Sequence, residues 1–210
     1  MDDATTWKLI HAERAATADT LTTLTADQWS QPSLCAGWTV QMTAGHIVQG
    51  AEQTSGSFMK SMLSHGFRFN TMMDKEARRL GAVPPDELIA RLRARTATTN
   101  KPPAAPVVTM LGEVVAHTED ITRPLGLPHT PAPDAVVACL DMYKVATFPV
   151  GAKKRIAGLG LAASDLDWTY GEGPEVSGPA LSLVMVMAGR PTGLEDLSGP
   201  GLSELRNRMR

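Results

Sequence analysis

Apolar residues recur at close to every 3.6 positions through most of the first 146 residues, in segments cut apart by prolines and glycines. A segment with that period has one apolar stripe to bury, and several of them bury their stripes on one another as a helical bundle. Trp7, Ile10, Ala18, Leu21 and Leu24 mark the first segment, over about 5–24. Pro32 and Gly37 interrupt the pattern, and Thr39 is placed to cap a second helix. Its stripe is Val40, Ala44, Ile47, Val48, Ala51, Phe58 and Met62, and His65-Gly66 ends it. The stretch 67–83 is ambiguous, with room for a short helix near 74–80. Pro84-Pro85-Asp86 opens a third helix with Leu88, Ile89 and Leu92 inward. Three prolines in 100–106 make a loop. A fourth helix follows over about 107–122, and after a proline-rich connection a fifth over about 134–146.

The pattern changes after Phe148-Pro149. The stretch 154–163, and then Leu166, Trp168 and Tyr170 alternating with polar residues, read as strands. Glu175–Ser177 reads as a further short strand, Pro179 opens a helix that Gly189 closes, and a last helix covers about 202–208. The expected organisation is therefore a helical bundle over 1–148 and a small α+β unit over 149–210. Aromatics are 5% of the chain against 11 methionines, so aliphatic side chains and Met must fill the core, which suits helices.

Several classes are excluded. Lys+Arg number 20 against 22 Asp+Glu, without the basic excess that a nucleic-acid binder needs. Cys35 and Cys139 cannot build a disulfide framework or a cysteine-type zinc site. The N-terminus lacks the features of a signal peptide, and the longest strongly apolar run, 181–188, is too short to span a bilayer. A cytoplasmic protein is expected, with no nucleic-acid or membrane partner.

Glu113 and His117 are four residues apart on the fourth helix, about 40° around its axis, so both reach one point. A carboxylate and an imidazole are good ligands for a borderline divalent metal, and His46 in the second helix is the best third ligand. By spacing alone the alternative stays open. Glu113 and His117 lie roughly 140° from their helix's apolar stripe, which also suits a solvated face.

Trp29, then 32–40 (Pro-Ser-Leu-Cys-Ala-Gly-Trp-Thr-Val), then His46 resemble the start of helix two in the mycothiol-dependent maleylpyruvate isomerase family, a branch of the DinB-like bundles. The run 113–126, from Glu113 through His117 and Asp120 to Gly126, resembles that family's second signature. The stretch 163–168, Gly178-Pro179-Ala180 and Gly189-Arg190 resemble its small C-terminal unit. The resemblance implies an up-down-down-up four-helix bundle and an actinobacterial origin. It implies a divalent metal, usually zinc, on His46, Glu113 and His117, with mycothiol as cosubstrate. It also implies a catalytic part for Glu113, and for Arg190 as a bidentate grip on a carboxylate. For Arg190 the alternative is a cation at a helix C-terminus.

The expected chemistry is a transferase or isomerase. A metal-bound thiolate adds to, or displaces a group from, a small electrophile. A metal-dependent hydrolase and a non-catalytic bundle that binds metal, thiol or metabolite are the alternatives. Asp120 shares the ligand face as a candidate acceptor behind a histidine. Gln49 reads as solvated, Cys35 as a packed thiol with no base beside it, and His11, His65 and His129 as surface or loop residues.

Overall fold

The computed structural model describes residues 1–209, which form two compact units, Met1–Thr130 and a second from Pro131 onward. In the first unit α1 (Asp3–Thr22) is capped by Asp2, whose carboxylate accepts from the Thr5 amide. A short α2 (Ala26–Ser30), capped by Thr25 and Gln28 in a reciprocal box, follows where sequence pattern showed only a polar connection. Thr39 caps α3 (Val40–Glu52). The expected long second helix is two helices, because Thr54 accepts from the Ser57 amide and starts α4 (Ser55–Ser64) anew. The ambiguous stretch is α5 (Phe69–Leu80), longer than expected. Pro85 opens α6 (Pro85–Arg95), and α7 (Val108–Thr122) completes the unit.

Helices α1, α7, α3 and α6 pack in that cyclic order, each on the next, as a four-helix bundle. Helix α5 lies against α3, where a Cβ on Gly45 would come within 2.6 Å of the Leu80 Cβ, so only glycine permits this approach. Helix α7 packs on both α1 and α3, and from Met110 to Thr122 every residue except Glu113 is buried. A helix with partners on two sides has no solvated face, which is why its polar positions are not the exposed ones that its stripe predicted.

The second unit contains α8 (Pro133–Tyr143), α9 (Ala152–Arg155), β1 (Gly160–Ala163), β2 (Thr169–Tyr170), β3 (Glu175–Gly178), α10 (Ala180–Met187) and α11 (Leu202–Asn207). The sheet order is β2-β1-β3, antiparallel between β1 and β2 and parallel between β1 and β3. Helix α10 is buried at seven of its eight positions and packs on α8 and β1. Asp165 accepts from the Ala180 amide at its start, and Gly189 at φ +93 closes it. The compact units divide at 130/131, and α8 packs on α10 within the second. The stretch 154–163, expected as a strand, is one only over β1, and the helix α9 covers its start. Among the described residues no helix is long and apolar enough to cross a membrane.

Candidate metal centre

His46 stands mid-way along α3, and Glu113 and His117 one turn apart on α7, the helix packed against it. Their side chains meet. His46 Nε2 lies 3.2 Å and His117 Nε2 3.4 Å from the same oxygen, Glu113 Oε2. The two imidazoles are edge to face, with centroids 4.6 Å apart. Both histidine side chains are nearly buried, at 12% and 11% exposure, whereas Glu113 keeps 49% and opens into a recess. That recess is shallow and open to solvent, with a cavity volume of about 20 Å³, and Ile47, Met110 and Val114 supply its apolar wall.

Asp120, fully buried, accepts at 2.9 Å from His117 Nδ1, which orients the ring with Nε2 toward Glu113. Cys35 also reaches this pair, its sulfur 3.1 Å from Asp120 Oδ2 and 3.5 Å from His117 Nδ1. The expectation that no base stands beside Cys35 is thus corrected. The 31–39 loop brings the thiol there, because Leu34 donates its amide to the Asp120 carbonyl and the Pro32–Thr39 bridge closes the loop. Trp38 sits edge-on to His46 and donates its indole N–H to Asp74. His46 Nδ1 is buried without a hydrogen-bond partner, so Nε2 is the ring's one polar outlet.

Burial opposes ionisation of Glu113, but hydrogen bonds from His117 and His46 outweigh it and hold the carboxyl well below its usual range. Burial likewise opposes a charge on His117. Its bonds to Asp120, Cys35 and Glu113 outweigh that and hold the imidazole well above 6.5. The cluster therefore favours positive charge between two carboxylates. A divalent cation meets the same demand, and the donors fit one. Ligands of a tetrahedral zinc, at bond lengths near 2.05 Å, stand about 3.3 Å apart. The two N···O separations of 3.2 and 3.4 Å have that value before any ion is placed.

The remaining sequence candidates lie elsewhere. Gln49 is buried, not solvated, with Oε1 unpartnered on the wall of a separate polar recess. Arg190, in the second unit, donates to the Ala188 carbonyl at the end of α10. His129 is not a surface residue. It is buried between Glu119, 2.9 Å from Nδ1, and Glu13, 3.2 Å from Nε2. Arg14 drew no notice in the sequence, since a lone arginine in a helix carries no spacing signal, yet it lines the metal-site recess.

Residues 10–106 match the mycothiol maleylpyruvate isomerase N-terminal domain family. That span lies within the first unit. The matched span includes His46 but stops short of α7. Two solved structures share the fold. A crystal structure of a histidine-to-alanine mutant of the mycothiol-dependent maleylpyruvate isomerase superposes with a TM-score of 0.67 at 14% identity, covering 95% of this chain and 93% of that one. The crystal structure of the mycothiol-dependent maleylpyruvate isomerase gives 0.64 at 16%, with the same coverage. No curated protein sequence matches the chain.

Proposed function

We propose that the protein is a divalent-metal- and mycothiol-dependent isomerase or S-transferase acting on a small electrophile. The observation that carries this reading is the convergence of two imidazoles and a carboxylate, their ligand atoms within 4.8 Å of one another, on an open recess. The matched family supports mycothiol as the thiol. A bound divalent ion would supply Lewis acidity and favour thiolate over thiol. We put zinc first, because a His₂Glu set with one position left open is a recurrent catalytic zinc arrangement.

The chain's own residues do the rest. To hold the ion, His117 would present Nε2 unprotonated, while Asp120 keeps the ring in place. Glu113 sets the charge at the site, and its half-open side chain faces the partner that enters the recess. Ile47, Met110 and Val114 exclude water from one wall. Addition of the thiolate to a conjugated double bond allows rotation about it. Expulsion of the same thiolate then gives the isomer, with the thiol regenerated. Displacement of a leaving group would instead give the S-conjugate. Arg190 belongs to this proposal as a carboxylate grip, for which Arg190→Ala should weaken a carboxylate-bearing partner and spare the metal.

The test is metal analysis of the purified protein, then turnover of a panel of soft electrophiles with and without mycothiol. Turnover should need metal and thiol together. Glu113→Gln should lose most activity with little change in folding. Equal turnover without any thiol would hand the site to a hydrolase, and none with the metal verified in place would make it a binding site.

A further inference from the structure

The second unit holds a basic recess that the chemistry above leaves unused. Lys154 and Arg155 on α9, Gly151 before it, Ala157 after it and Arg208 at the end of α11 line a cavity of about 630 Å³. That volume lies in the range of small-molecule sites, roughly 300–1,000 Å³. Arg208 fixes the end of α11 to the end of α9. Its Nη1 donates to the Arg155 and Ala157 carbonyls at 2.8 and 2.7 Å, and its Nη2 donates to Glu204. Arg155 donates from Nη1 to the Met187 carbonyl at 2.6 Å and from Nη2 to the Val150 carbonyl at 3.1 Å. Lys154 is exposed, and its ammonium has no hydrogen-bond partner among the described residues.

Three cations thus share one carboxylate, Glu204, and among the described residues Arg155 pairs with none. Burial first, and then repulsion from Arg190, holds the Arg155 guanidinium below its usual value. The Met187 carbonyl at the end of α10 offsets only part of this charge, since a helix C-terminus carries about half a unit. More than one positive charge is left over. The chain as a whole is net −2, so composition does not account for the excess. The donors are also available. A guanidinium has five N–H groups, of which Arg155 makes the two bonds above and Arg208 three, and the Arg208 side chain keeps 27% exposure. A phosphate ester is the anion that fits. Its three terminal oxygens accept from several directions at once, as cations on two helices require, whereas one guanidinium fork satisfies a carboxylate. Gly151 and Ala157 leave the rest of the wall small and uncharged, with room for a compact organic group. The concave shape favours a small molecule over a nucleic acid, which follows a basic stripe.

We propose that the recess formed by Lys154, Arg155 and Arg208 binds the phosphate group of a small organic phosphate ester. The site lies wholly in the second unit and uses none of the residues assigned above to metal, thiol or electrophile. It is therefore tested apart from the proposed function.

The experiment titrates phenyl phosphate, with benzoate as the carboxylate control, into the full chain at constant ionic strength. Binding is read by calorimetry and by the backbone amide resonances of the isotopically labelled protein. Phenyl phosphate should move the amides of 151–157 and 204–208, and should bind at least about tenfold more tightly than benzoate. Lys154→Glu should weaken phenyl phosphate at least about tenfold, and Lys154→Arg should keep most of the affinity. Lys154 is exposed and holds no partner, so both variants keep the fold. Benzoate binding as tightly as phenyl phosphate, unchanged affinity in Lys154→Glu, or shifts that sodium chloride reproduces would overturn the proposal. So would phenyl phosphate moving only amides of α3 and α7, or duplex DNA or anionic vesicles binding this face while phenyl phosphate does not.

Discussion

His117 and His129 both lie between two carboxylates, α7 contributes to both clusters, and the two are built for different ends. Around His129 each ring nitrogen has its own acceptor, Glu119 on one side and Glu13 on the other, and all three side chains are 6–7% exposed. Glu119 is held in turn by Arg123. Both ring nitrogens and both oxygens of Glu119 are engaged within the cluster. This cluster ties α1 and α7 to the segment that follows α7. Around His117, Nδ1 is held by Asp120, while Nε2 shares one oxygen of Glu113 with His46 at the mouth of a recess. The difference teaches that residue types do not make a metal site. Unsatisfied donor capacity pointing at shared space does, and closing off that capacity turns the same groups into a staple.

The largest contrast should come from removing each histidine. His117→Ala leaves two ligands, and zinc affinity should fall by more than the ~10–100-fold that loss of an outer hydrogen-bond partner costs. Metal content after dialysis against buffered zinc reads this directly, and full occupancy would break the comparison. His129→Ala should do the reverse. It strands Glu13 and half of Glu119 in the core, so stability should drop by about 3 kcal/mol in urea unfolding while zinc affinity stays put. A His129 variant that loses metal would show the clusters to be one site.

A smaller effect is expected from Asp120→Asn, which keeps the shape but weakens the acceptor behind His117. Zinc affinity should fall by about 10–100-fold with the melting temperature little changed. Unaltered affinity would reduce Asp120 to packing.

The smallest effect is the pH dependence of the closed cluster. Burial opposes a charge on His129, but its hydrogen bonds to Glu119 and Glu13 outweigh it and raise the imidazole from 6.5 to about 8. A group raised in the folded state gives its full stabilisation below 6.5, and loses it as pH rises through about 8. The difference in unfolding free energy between wild type and His129→Ala should therefore shrink by about 2 kcal/mol between pH 6 and pH 9. A difference that stays flat across that range would mean His129 is neutral in the fold.

Much of the fold was legible because helices announce themselves locally. Thr39 at the start of α3, Pro85 at the start of α6 and Gly189 at the end of α10 all act through neighbours one turn away. The break at Thr54 was missed, since the apolar stripe runs on through it, and α2 is too short to show a period. Helix α8 looked like the bundle's fifth helix because its stripe does not say what covers it. The site was half legible. Glu113 and His117 are paired by helical spacing and Asp120 lies on the same face. The burial of that face was not visible, because it depends on α7 having neighbours on two sides. Cys35, His129 and Arg14 gave no signal, since their partners lie 85, 116 and 84 residues away in the chain.

The sequence by itself determined which segments are helical, where most of them start and stop, and which residues were equipped to bind a metal. Tertiary structure decided which of those residues share a space. Spacing along one helix specifies a direction about its own axis and nothing more. Whether His46 and Glu113, 67 residues apart, point at each other or at solvent is set by how α3 and α7 pack. The same packing buried Arg14 against Thr98 and closed His129 between two carboxylates.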